Sequence, residues 1–137
     1  MKKQYTSAIP FKLADKLNRL GLPKIQVPPP QIDMGNGIVQ VSAVDTYRIP
    51  SYAYVFDWFA EKEIYILINA FPVDSAKEGR FTAYEAKVVD ARNFYEGQIN
   101  YKVEPYEYAP DYRDICEALN DAIEKAIEIL EKDENTI

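Results

Sequence analysis

The stretch SYAYVFDWFAEKEIYILIN, residues Ser51–Asn69, changes period midway and so decides the fold. Ser51, after Pro50, is a capping residue that predicts a helix running to about Lys62. Tyr52, Val55, Phe56 and Phe59 line one side of that helix, and Tyr54 and Trp58 form a second apolar flank. Only Ala53, Asp57, Ala60 and Glu61 are left for a narrow polar strip, the pattern of a helix buried on several sides. From Glu63 onward the period is two: Ile64, Ile66 and Ile68 face one way in a β-branched run. A helix that passes directly into a strand points to an α+β domain.

Downstream, Pro72–Gly79 is rich in turn formers, and Phe81–Val89 reads as a second strand in which Tyr84, Ala86 and Val88 alternate with Ala83, Glu85 and Lys87. Ile99, Tyr101 and Val103 alternate in a shorter strand that Pro105 closes. Alternation with one polar face means an antiparallel sheet with one side toward water. In the C-terminal part Ile115, Cys116, Leu119, Ala122, Ile123, Ala126, Ile127 and Leu130 repeat with a helical period, and Asp111 and Asp114 suit its positive N-terminal end. Residues 133–137 are expected to fray.

Upstream, residues 8–20 read as a helix with Pro10 in the first turn, Leu13, Ala14, Leu17 and Leu20 on one face, and Gly21 as its stop. Lys12, Lys16 and Arg19 share the opposite face. Residues 22–31, with four prolines, read as an extended connector. Gly35-Asn36-Gly37 marks a tight hairpin turn between Ile32 and Ile38; without a third glycine or a clean preceding strand it lacks the parts of a phosphate loop. The expected architecture is a small antiparallel sheet packed with an N-terminal helix, a central helix and a C-terminal amphipathic helix, in one domain over residues 1–137.

The chain of 137 residues has net charge −6, one cysteine and no histidine. The missing histidines exclude Ser-His-Asp and Cys-His machinery and the usual zinc sets. The charge is uneven: residues 1–25 carry six basic side chains and one acidic, whereas residues 111–137 carry three basic and nine acidic. Residues 1–110 are neutral, so the acid excess belongs to the C-terminal helix and its tail. A solvated helix face accounts for it, with nucleic-acid mimicry as the competing reading. Without a net basic domain, nucleic acid is not the expected partner. No apolar stretch follows Lys2-Lys3, and the run Ile64–Val73 is broken by Asn69 and Pro72, well short of the roughly 20 residues of a membrane helix. A cytoplasmic location and no membrane contact are expected.

The helix ending in Leu20-Gly21, the Gly/Asn turn, the segment Ile49–Lys62 leading into a strand, and the closing helix Glu117–Leu130 follow one another in this order. That order resembles a set of small uncharacterised proteins found in bacteriophages and in phage-derived or mobile regions of gut bacteria. Its most specific piece is Pro50-Ser51 followed by Phe56-Asp57-Trp58-Phe59 and Glu61-Lys62. The resemblance implies a phage or mobile-element origin and a compact α+β fold, and it carries no catalytic residue.

Candidate chemistry is sparse. Asp57 and Glu61 lie four apart on one helix, close enough to share a hard cation, yet a solvated helix edge is the stronger reading, and no calcium-loop spacing exists. Cys116 falls on an apolar face, where a thiol without a nearby base is inert. No catalytic residue, metal ligand or cofactor site is assigned, and the expected protein is not an enzyme. Six of the eleven tyrosines lie between residues 84 and 112, and Tyr106, Tyr108 and Tyr112 cluster around Pro105 and Pro110. Rings covering the end of the sheet are one reading. Tyrosine is also enriched at interfaces, which makes Tyr106, Tyr108 and Tyr112, with Trp58, the candidate contacts for a protein partner or a second copy of the chain. The alternative is a small planar or nucleotide-like ligand stacked in an aromatic pocket.

Overall fold

The Ser51 hydroxyl accepts from the backbone N–H of Tyr54 at 3.2 Å, which starts a helix over Tyr52–Glu61 where the sequence places it. The computed structural model describes residues 8–27, 31–33, 38–40, 46–93, 96–104 and 112–134. Among these, α1 is Phe11–Arg19, β1 Ile25–Val27, β2 Gln31–Asp33, β3 Ile38–Gln40, β4 Thr46–Arg48, α2 Tyr52–Glu61, β5 Ile64–Ser75, β6 Gly79–Asp90, β7 Ile99–Val103 and α3 Ile115–Glu134. The class is α+β. A three-stranded antiparallel sheet, order β5-β6-β7, carries the helices, and two short antiparallel ladders, β1-β4 and β2-β3, complete it.

α1 ends in a motif built on Gly21. Leu22 N–H reaches Leu17 O at 3.0 Å and Gly21 N–H reaches Asn18 O at 3.2 Å, with Gly21 at φ +108°. This left-handed close satisfies the last carbonyls and folds Leu22 back into the core. α3 is capped by Asp114, whose carboxylate accepts from Cys116 N–H at 2.7 Å.

The core lies between the helices and one face of the sheet. Leu13 and Leu17 of α1, Val55 and Phe59 of α2, and Leu119, Ile123 and Ile127 of α3 bury against Ile64, Ala86, Val88 and Val103. Burying a side chain of this size is worth about 1.5–3 kcal/mol. Lys16 Nζ bridges both carboxylate oxygens of Glu124 at 3.0 and 3.1 Å, which ties the basic face of α1 to the acidic face of α3.

The hairpin departs from expectation. β5 runs through Pro72 to Ser75, twelve residues, and only 76–78 turn. Pro72 fits because β5 is an edge strand. Ala91 N–H donates to Glu63 O, so the odd-numbered residues of β5 bond to β6. Tyr84 exchanges both backbone bonds with Tyr112, so the even-numbered residues of β6 bond the other way. Ile64, Ile66, Ile68, Ala70 and Pro72 therefore turn their main-chain polar groups to the open edge, where a proline's missing N–H costs nothing. Gly79, at φ +77°, closes the loop, and Ser75 Oγ accepts from the N–H groups of Lys77 and Glu78 at 3.3 Å.

Two further differences concern the segments between elements. Within the expected connector 22–31, residues 25–27 pair with 46–48, with Ile25 opposite Arg48, so this part is a ladder. α3 continues to Glu134, past the point where fraying was expected at 133. Strands 31–33 and 38–40 pair as the hairpin reading requires; Gly35-Asn36-Gly37 lies outside the described residues.

Candidate functional site

The expected contact residues separate. Tyr112 is 2% exposed, bridged to Tyr84 by backbone bonds of 2.7 and 2.8 Å, and its hydroxyl donates to Asp121 at 2.9 Å. It is a core residue that anchors the lead-in to α3, and its ring is closed to a partner. Trp58 is half-buried, edge-on to Phe59 at 5.0 Å, with the Lys62 ammonium 4.8 Å from its ring. Both of those contacts are made within α2 and its cap. Tyr106 and Tyr108 lie outside the described residues.

Asp57 and Glu61 are exposed, and among the described residues no three Cys, Asp or Glu side chains gather as a metal site would require. Cys116 is half-buried beside Tyr52. Burial, with the thiol beside it, pushes the Tyr52 hydroxyl up to about 12, and it donates to Asn120 Oδ1 at 2.6 Å. Burial and the Asp121 carboxylate likewise hold Tyr112 protonated. Both tyrosines are fixed as neutral donors, a structural use of their hydroxyls. At the end of β6 the Arg92 guanidinium grips Asp90 with bonds of 2.8 and 2.7 Å and holds that carboxyl below its ordinary range.

Another surface draws attention. Phe11, Tyr47 and Ile49 are 72%, 47% and 38% exposed, and the three line one groove of about 190 Å³ with Asp15, Lys24 and Arg48. Local structure explains their meeting. Ile9 N–H donates to Pro50 O at 3.0 Å, which lays the start of α1 against the lead-in to α2. The β1-β4 ladder then holds Tyr47 and Arg48 next to it. The Lys24 ammonium sits 4.9 Å from the Tyr47 ring, where the ring face attracts a cation. A second groove, of about 370 Å³, shares Arg48 and Ile49 and runs on to Tyr54.

The sequence reading missed this surface because its parts come from three segments. Phe11 stands off the apolar face of α1, and that misfit is the one signal a sequence offers. The chain is thus of α+β class, with an exposed apolar groove flanked by Lys24, Arg48 and Asp15. Comparison with protein families, with curated proteins and with solved structures finds no match. No described helix is long and apolar enough to cross a membrane.

Proposed function

We propose that this protein is a non-catalytic binding protein that acts through protein–protein contact at the Phe11–Tyr47–Ile49 groove. The observation that carries the reading is the joint exposure of these three large apolar side chains beside Lys24 and Arg48. Exposed apolar surface rimmed by polar groups is the mark of an interaction site. Lys24 and Arg48 outnumber Asp15, which is itself paired with Arg19 at 2.9 Å, so the groove favours an acidic partner segment that brings one apolar anchor. A cytoplasmic accessory role in a phage or mobile element belongs to the same proposal, and its phage or mobile-element part draws only on the resemblance in element order, most specific at residues 50–62. The small-ligand alternative loses support where the Trp58 ring is already in contact with Phe59 and Lys62.

Selection from a displayed random-peptide library tests the proposal. Acidic sequences with a single aromatic or aliphatic anchor are expected, with binding lost in Phe11→Ser and Arg48→Glu. Basic winners, or peptides that bind Phe11→Ser as well as the parent, overturn it.

A further inference from the structure

We propose that two copies of this chain join through the open edge of β5, in antiparallel register about Asn69, to form one continuous six-stranded sheet. Among the described residues the edge is open: β5 is hydrogen-bonded on one side only, to β6. Ile66, Ile68 and Ala70 direct both N–H and C=O outward, by the hydrogen-bond parity that the Ala91–Glu63 bond fixes. A strand edge of this kind is a template for another strand unless charge, proline or a bulge blunts it. Here Ile64–Val73 contains no charged residue, and the blunting devices, Pro72 and Asp74, both sit near the far end.

The occupant follows from how the edge matches itself. Outward-facing residues run from Ile64 to Asp74, and a two-fold axis at Asn69 pairs each with another of the set. Ile68 meets Ala70 of the second copy, a large side chain against a small one. Ile66 meets Pro72, whose carbonyl still accepts although it has no N–H to give. On the outer face Leu67, 48% exposed, comes beside the half-buried Phe71 of the second copy, and Tyr65, 42% exposed, beside Val73. Cross-strand aromatic and apolar pairs are what stabilises such a ladder. The same register sets Asp74 opposite Ile64 of the second copy, so the two Asp74 carboxylates stand at opposite ends of the ladder, away from each other. A shorter or shifted register moves Pro72 toward the middle or leaves outward groups without partners.

Sedimentation equilibrium of the full chain from about 1 to 300 µM, with amide exchange on the same samples, tests the proposal. The expected mass is twice 15.8 kDa at the upper concentrations, with Ile66, Ile68 and Ala70 amides protected as strongly as that of Leu67. Ala70→Pro removes an N–H that faces away from β6, so it keeps the fold and is expected to halve the mass. Leu67→Lys does the same through charge, and it decides the matter if circular dichroism shows Ala70→Pro unfolded. A monomer at every concentration, rapid exchange at Ile66, Ile68 and Ala70 in a dimer, or a dimer that survives the folded variants overturns the inference.

Discussion

Tyr84 and Tyr112 exchange both backbone hydrogen bonds, at 2.7 and 2.8 Å, and so extend the β7 side of β6 with a residue that leads into α3. The Tyr112 ring is buried and its hydroxyl reaches Asp121. Tyr112→Phe is expected to cost about 1 kcal/mol through the lost hydrogen bond. Tyr112→Ala is expected to cost about 3–5 kcal/mol through the cavity. Urea unfolding of the two variants measures both, and equal losses would show that packing contributes little.

Acid stability depends on Asp90. Its folded pKa lies below the ordinary 3.8 because Arg92 holds the carboxylate. A depressed carboxyl stabilises the fold above its unfolded pKa, and that stability is lost as pH falls through the folded value. Asp90→Asn is therefore expected to flatten the decline in stability below pH 3.8, with a cost at neutral pH of about 1–3 kcal/mol. Thermal midpoints across an acid series check this.

At the alkaline end the sign reverses. Tyr52 has its folded pKa near 12 against an ordinary 10, so it favours the fold fully below pH 10 and loses that contribution as pH rises toward 12. The loss is on the order of 2 kcal/mol. Tyr52→Phe is expected to be less stable at pH 7 and to decline more gently between pH 10 and 12, as followed by denaturant midpoints.

Gly79 closes the β5-β6 hairpin at φ +77°, and an added Cβ would meet no atom within 4 Å. Strain alone then sets the effect. Gly79→Ala is expected to cost about 1 kcal/mol, and Gly79→Asn less, since asparagine tolerates the left-handed region better. Equal losses would assign the cost to something other than backbone conformation.

Phe11, at 72% exposure, contributes little to folding. Phe11→Ser is expected to leave stability within about 0.5 kcal/mol of the parent. Calorimetric titration with an acidic peptide selected on the parent should show binding abolished in the same variant.

The helices were legible because each carries an uninterrupted apolar period between recognisable ends: Ser51 before α2, Gly21 after α1, Asp114 before α3. The strand starts at Ile64 and Ile99 were legible for the same reason. The full length of β5 was not. Pro72 reads locally as a turn, and only its place on a sheet edge makes it acceptable within a strand. Tyr112 and Trp58 carried the expected contacts because composition records that a ring is present and not which way it faces. The groove at Phe11, Tyr47 and Ile49 was out of reach, since residues some forty apart in sequence meet there through the pairing of β1 with β4 and of Ile9 with Pro50.

The bridge between Lys16 and Glu124 spans 108 residues of sequence. A ribosome adding roughly 5–20 residues per second takes about 5–20 s to cover that distance. Throughout that interval the apolar face of α1 has no α3 to rest on. The nascent chain can cover Leu13 and Leu17 only with earlier-made parts of the core, Val55, Phe59 and Ile64 among them, until the last helix emerges.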